Sequence, residues 1–259
     1  VASRFEGPYE VPADGGLLAP KGHYAGRVCR WRNLDLYYCW HRADYDWPGF
    51  RNPFGKFVVA PLVLFPRPDG SLGRRSFPGW AGYQEGEPIQ PTPAPASLFG
   101  TAPVDGWQVS PGGGTDVVAT AREAGDFCLE GELTLEAGRG GLGFRLDDRG
   151  GGYFVELTSG SPEASLQKWL PSQAADLRPW FRWAELQRGH LRRPLERGQT
   201  LSFRLLVVGP YLECSLDGEV VLATLSAERE SGRFGLWAES GAIVGKSLAF
   251  APMRRPEHR

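Results

Sequence analysis

The sequence predicts an all-β protein built from two units. Glycine (35) and proline (22) are abundant, and they separate short runs rich in aromatic and β-branched residues. Within those runs apolar and polar residues alternate with a period of two, which is typical of strands with one buried face. The length of 259 residues fits two domains at roughly 150 residues each.

Charge and hydropathy exclude several classes of function. Lysine and arginine total 29 against 30 aspartate and glutamate, so the chain has no basic footprint for nucleic acid and no polybasic patch for a membrane. No apolar run approaches the roughly 20 residues that span a bilayer. The first residues lack the layout of a signal peptide, so a cytoplasmic protein and a secreted one whose signal lies outside this chain both remain open.

Residues 1–83 are predicted to form one small sheet. A four-stranded sheet with two apolar faces cannot cover itself and is marginal alone, so this unit needs neighbours. The turns are expected at Arg32-Asn33 and Pro68-Asp69-Gly70. The predicted strands are Gly22 to Cys29, Leu34 to His41, Lys56 to Phe65 and Ser71 to Phe77.

Residues 84–103 form a proline-rich linker, and residues 104–253 are predicted to be an antiparallel sandwich followed by a tail at 254–259. Turn signals such as Gly209-Pro210 and Asp217-Gly218 separate its strands at regular spacing. Residues 170–196 break the alternation and are predicted to be a long loop. The alternative is a short amphipathic helix from Arg178 to Gln187.

The four cysteines have no metal-ligand spacing and no CxxC motif. Cys29 and Cys39 could face each other across a hairpin, but a bridge between directly paired strands is strained. Four thiols are therefore predicted.

No motif identifies a catalytic group. The chain has no GxSxG, no P-loop and no zinc spacing among its four histidines. Asp44 and Asp46, beside His41 and Tyr45, are either a carboxylate pair facing a cleft or a solvated turn.

Residues 1–80 carry a series of motifs: GP-x-E-V at Gly7 to Val11, G-H-Y-A at Gly22 to Ala25, an aromatic-His pair at Trp40-His41, and PDG-x-L at Pro68 to Leu72. This series resembles the last blade of the five-bladed propeller glycoside hydrolases. These are families 32 and 68 (fructosidases and levansucrases) and the related family 43 (arabinofuranosidases and xylosidases). The run YLECSLDGEVVLATLSAERESGRFGLWAES resembles the concanavalin-like β-sandwich that follows the propeller in many of these enzymes.

The resemblance implies a fold of one propeller blade followed by a β-sandwich. It also implies a glycoside hydrolase whose substrate is a fructosyl, arabinosyl or xylosyl glycoside. The families' catalytic carboxylate motifs are absent from this chain, so the remaining blades are expected in a preceding or separate polypeptide, and the chain alone is expected to be inactive. No cofactor is expected, although a structural ion at the propeller axis fits the resemblance. The alternative function is a non-catalytic carbohydrate-binding or structural β-protein.

The resemblance also suggests which residues meet the sugar. The first strand of a blade lines the central funnel, which would place His23 and Tyr24 near the substrate or a central ion. Trp40 and His41 would lie further along the blade at its loop end. Alternatively, His23 caps a turn and Trp40 packs between blades.

The same families contain a Glu-Cys acid/base pair, and the sequence contains Glu213-Cys214. Alternation explains this dipeptide, because Leu212, Cys214 and Leu216 are expected to face the core. Glu213 is therefore expected on the solvated face and is excluded as the catalytic acid.

Overall fold

The computed structural model describes residues 23–42, 56–58, 60–94, 97–99, 106–171 and 181–255. These residues form two antiparallel sheets, and the helical structure among them is one 3-10 helix at Pro78–Tyr83. The predicted all-β fold, a blade-like sheet followed by a β-sandwich, is confirmed. No helix in these ranges has the length and apolar character needed to cross a membrane.

The first sheet, called the blade sheet here, is a meander in which neighbouring strands pair in chain order. β2 pairs with β1 on one side and with β3 and β4 on the other, and β5 pairs with β4. Arg32 has φ 53°, the left-handed conformation that a tight hairpin turn requires, at the predicted turn. The strands are β1 (His23–Trp31), β2 (Leu34–Arg42), β3 (Lys56–Val58), β4 (Leu62–Pro66) and β5 (Leu72–Arg75).

The second sheet contains ten strands and folds over on itself as a sandwich. Its strands are β6 (Gln108–Val109), β7 (Thr115–Ala119), β8 (Phe127–Leu146), β9 (Gly152–Thr158), β10 (Glu163–Pro171), β11 (Phe181–His190), β12 (Thr200–Val208), β13 (Tyr211–Leu216), β14 (Glu219–Leu225) and β15 (Arg233–Pro252).

Two long strands, β8 and β15, belong to both layers of the sandwich. The first half of β8 pairs with β12, while its second half pairs with β9. The crossing point is crowded, because a Cβ at Gly138 would lie 2.6 Å from the carbonyl oxygen of Glu239, and one at Gly241 would lie 1.9 Å from that of Ala137. Glycine at both positions therefore lets β8 and β15 pass from one layer to the other.

The layers enclose one apolar core. Alternate residues of β8, β9, β12 and β13 face it, as the period-two pattern predicted, and they include Leu129, Val155, Leu205 and Leu212. The layer of β12, β13 and β14 has its outer face against the blade sheet. The layer of β9, β10 and β11 lies on the far side of this core.

A second apolar cluster joins the blade sheet to the sandwich. Tyr37, Leu62 and Leu64 of the blade sheet pack in it with Leu206 and Val208 of β12. The sandwich thus supplies the apolar neighbour that the small sheet was expected to need.

The proline-rich segment runs along the sandwich. Ile89 exchanges both backbone hydrogen bonds with Phe250, and the N–H of Leu98 donates to the carbonyl of Val117. That 84–103 separates two domains stays a prediction.

The prediction of a loop or helix was wrong for residues 170–171 and 181–190, while residues 172–180 lie outside the described part of the chain. β10 extends to Pro171 and β11 occupies Phe181–His190, where a loop or a helix was expected. The reason lies at Gln187, which is buried although polar. Its side-chain amide donates to the carbonyl of Ala223 and accepts from the N–H of Ala223, both at 2.7 Å. A polar residue at a buried strand position interrupts the apolar–polar alternation by which a strand is recognised in a sequence.

The cysteines are thiols in the structure, and Cys29 pairs in register with Leu36 rather than with Cys39. Burial raises the pKa of Cys39, that of Cys128 to about 11 and that of Cys214 to about 12. Cys29 is exposed.

We therefore expect Ellman's reagent at pH 8 to modify one thiol of the native chain rapidly and all four in denaturant. A pKa near 11 leaves about one thousandth of a thiol ionised at that pH. Cys29→Ser should abolish the rapid reaction, whereas Cys128→Ser should leave it intact. Rapid modification of two or more thiols in the native chain would contradict the burial of the other three.

Candidate functional site

The blade hairpin brings the four predicted sugar-contacting residues to one end of the blade sheet. His23 is the register partner of His41, and Tyr24 is the register partner of Trp40. Residues directly opposite on antiparallel strands have Cβ atoms roughly 4.5–5.5 Å apart. Their side chains lie outside the described part of the structure, so their contact with sugar stays a prediction.

Other sequence candidates fall outside the described residues altogether. Asp44, Tyr45 and Asp46 lie in the segment 43–55, and Gly22 precedes the first described residue. Within the described ranges, no group of three or more His, Cys, Asp or Glu is arranged to hold a metal ion. An ion at a propeller axis remains an expectation of the resemblance.

Glu213 is buried, although its strand face was expected to be solvated. As predicted, β13 directs Leu212, Cys214 and Leu216 into the sandwich core and Glu213 to the opposite face. That face is covered by the blade sheet, and Glu213 is 1% exposed. The expectation of a solvated face was wrong, because alternation shows which face a residue occupies but not what covers that face.

A hydrogen-bonded network holds this buried carboxylate. The hydroxyl of Tyr211 donates to Glu213 Oε2 at 2.6 Å, and Arg204 Nη1 donates to Glu213 Oε1 at 3.2 Å. The same Nη1 donates to Ser76 Oγ, in the segment after β5, at 2.5 Å. Arg204 Nε lies 3.1 Å from Glu130 Oε1. This set, called the Glu213 network here, therefore connects the sandwich to the blade sheet.

Burial dominates the electrostatics of the network. It raises the pKa of Glu213, while hydrogen bonds from Ser76 and Tyr211 and the charges of Arg204 and Arg74 act in the opposite direction. Burial also raises the pKa of Tyr211. A carboxyl group enclosed in this way has no open path to a substrate, so the network fits a positioning role.

A second polar connection anchors the PDG turn of the blade sheet. Arg67 Nε and Nη2 donate to Glu219 Oε2 at 2.9 and 2.5 Å, and both side chains are largely buried. Asp69 Oδ1 accepts from the backbone N–H of Ser71 at 3.0 Å, which fixes the turn. The ring of Trp80 stacks on Tyr211 at 5.6 Å.

The sequence matches no protein-family model and no curated protein. Among solved structures, the exo-inulinase of Aspergillus awamori is 12% identical and aligns over 89% of this chain and 42% of its own, with a TM-score of 0.57. The beta-fructofuranosidase of Aspergillus kawachii is 13% identical over 89% of this chain and 46% of its own, with a TM-score of 0.55. Over the aligned residues the chain shares their fold. A looser match, with a TM-score of 0.45, is the Bacillus subtilis carbohydrate-binding module CBM66, 17% identical over 64% of this chain and 92% of its own.

This chain spans less than half the length of the two fungal structures. An alignment over 89% of the chain must nevertheless include blade-sheet residues as well as the sandwich, because residues 106–255 make up a smaller share. The two units are therefore matched together.

Proposed function

We propose that this chain is the C-terminal portion of a propeller-type glycoside hydrolase that acts on fructosyl, arabinosyl or xylosyl glycosides. The blade sheet would be the last blade of its propeller, and the sandwich would support that blade. The observation that carries the proposal is the joint match of blade sheet and sandwich to two fructosidase structures. The motifs of residues 1–80 support the same assignment independently.

In this proposal the reaction centre is completed by other blades, in a preceding or separate polypeptide. Those blades would supply the catalytic carboxylates, one acting as acid and one as base or nucleophile. His23 and Tyr24 would contact the sugar or a central ion, with Trp40 and His41 at the loop end. An imidazole and a phenol both donate and accept hydrogen bonds, which suits sugar hydroxyls.

The Glu213 network and the Arg67–Glu219 pair would hold the blade in place. Catalysis requires reacting groups to be positioned closely, and a small misplacement lowers the rate strongly. The part of this chain in the reaction would therefore be to set the position of the funnel-lining end of the last blade.

The assay compares the 259-residue chain with the protein purified from its natural source. The isolated chain should not hydrolyse aryl β-fructosides, arabinofuranosides or xylosides. The natural protein should have a mass above 28.4 kDa, or copurify with a second chain, and should hydrolyse one of these classes. Turnover by the isolated chain, or an inert natural protein of 28.4 kDa, would contradict the proposal and favour the non-catalytic alternative.

In the active natural protein, His23→Ala should lower kcat/KM about a hundredfold, the lower range for a positioned polar group. His190→Ala, a histidine in the sandwich, is the matched control and should leave kcat/KM unchanged. Equal kcat/KM for wild type and His23→Ala would show that His23 is not part of the sugar-binding site.

A further inference from the structure

The outer face of the β9–β11 layer contains a groove of about 380 Å³ that the hydrolase proposal does not use. We call it the polar groove. Its volume lies within the range of small-molecule pockets, roughly 300–1,000 Å³. It is lined by Glu156, Thr158, Ser165, Gln167, Glu185 and Arg188.

Strand register brings these side chains together from three strands. Ser165 on β10 pairs with Glu156 on β9 and with Arg188 on β11. Two residues further along β10, Gln167 pairs with Glu185 on β11. Because strand residues alternate between faces, the polar residues of β9 and β10 lie outside while Val155, Leu157 and Leu166 lie in the core. The groove therefore stands on rigid strands.

Most of its charged groups are already paired. Arg188 donates to Glu185 Oε2 at 2.7 Å and to Glu163 Oε2 at 3.0 Å. At the rim, Arg139 Nε donates to Glu239 Oε2 at 2.7 Å. Gln167 Nε2 donates to Ser165 Oγ at 2.8 Å. These contacts pair the side chains with one another in the ligand-free chain.

Glu156 differs from the other carboxylates. Its side chain is 15% exposed, and Oε2 is buried without a hydrogen bond; the nearest cation, Arg139 Nη1, lies 3.6 Å away. Burial raises the pKa of Glu156. The charge of Arg139 lowers this pKa, and the charges of Glu239 and Glu185 raise it. A buried polar atom without a partner is unusual in a folded protein.

An aromatic cluster continues the same face beyond the groove. Phe154 stacks on Trp169 with ring centroids 4.0 Å apart, and Trp169 meets Trp237 edge to face at 5.0 Å. All three rings are buried, so they form a firm apolar wall rather than a free stacking surface.

We propose that the polar groove is a binding site for a neutral sugar residue, distinct from any site at the propeller axis. With most carboxylates paired to arginines, the groove offers hydroxyl, amide and carboxylate oxygens. Neighbouring sugar hydroxyls both donate and accept, so they match this set. The surplus of carboxylates opposes an anionic ligand. The groove opens on the outer face of its layer, away from the β12–β14 layer that packs against the blade sheet.

The test is calorimetric titration of the 259-residue chain with fructo-, arabino- and xylo-oligosaccharides. One series should bind saturably. Glu156→Gln and Arg188→Gln should each weaken that binding at least tenfold. Arg188 is half exposed, so we expect the Arg188→Gln variant to fold. Glu136→Gln, an exposed glutamate on β8 outside the groove, is the matched control and should bind as wild type. Circular dichroism checks the fold of each variant.

Absence of binding to every series would overturn the inference. So would unchanged binding by a folded Arg188→Gln variant, or binding of spermine in place of sugars. The readout is binding by a chain that is expected not to hydrolyse anything. The inference can therefore succeed where the hydrolase proposal fails, and the reverse.

Discussion

Arg145→Met is expected to lower the free energy of unfolding by about 4 kcal/mol, in the range for a broken buried ionic network. Arg145 is 1% exposed. Its guanidinium donates to the carbonyls of Arg229 and Gly209 at 2.7 Å and to that of Gly125 at 3.2 Å, and lies 3.4 Å from Asp126 Oδ1. It thus satisfies carbonyls from three separate loops, which methionine would leave without partners.

Urea unfolding followed by circular dichroism measures this loss. Arg149→Met, in the exposed turn a few residues along, is the matched control and should change the free energy by no more than about 0.5 kcal/mol. Arg145→Lys should also be costly, because an ammonium cannot reproduce the planar fork of donors. A loss below about 1 kcal/mol for Arg145→Met would mean that these loops are held by other contacts.

Arg204→Met is expected to cost about 3 kcal/mol at pH 8, because it removes the charged partner of a carboxylate that is almost fully buried. The matched control is Arg30→Met. Arg30 also pairs with a carboxylate, Asp35, at 2.7 Å, but both side chains are about half exposed. Ion pairs that are this exposed contribute about 0–1 kcal/mol to the free energy of unfolding.

The loss of unfolding free energy in Arg204→Met should be larger at high pH than at low pH. The folded pKa of Glu213 is raised above its unfolded value, so the folded state holds the proton more tightly. Stability from this group is present below the unfolded pKa, about 4.3, and is lost as the pH rises through the folded pKa. Removing Arg204 raises that pKa further. The destabilisation should therefore be smaller near pH 4 than at pH 8, and an equal loss at both would contradict the account.

Much of the fold could be predicted because each signal is local. The turn at Arg32-Asn33 and the alternation around Leu129 need no knowledge of distant residues. The burial of Gln187 could not be predicted from local signals. Its hydrogen-bond partner, Ala223, is 36 residues away and satisfies the side-chain amide only after folding. A polar residue with a distant partner looks like a loop residue in the sequence.

The functional surfaces were harder to predict from the sequence for the same reason. Alternation placed Glu213 on the correct strand face, but only the packed blade sheet shows that this face is buried. The polar groove needs the pairing of β10 with β11, and β11 was read as a loop or helix, so Glu185 and Arg188 could not be joined to Glu156. The β1–β2 hairpin, by contrast, follows from its turn, but the pairing of His23 with His41 also depends on a register shift between Tyr24 and Arg27 that the turn does not predict.

The blade sheet and the sandwich are expected to fold as one unit, because a shared apolar cluster and the Glu213 network join them. Native-state hydrogen exchange with peptide-level mass spectrometry tests it in wild type and Arg204→Met. Amides of β4 in the blade sheet and β13 in the sandwich should open with the same free energy. Both should exchange roughly a hundredfold faster in the variant, the kinetic equivalent of about 3 kcal/mol. Faster exchange confined to β13, or a β4 that already opens far more readily than β13 in wild type, would show that the two sheets are separate units.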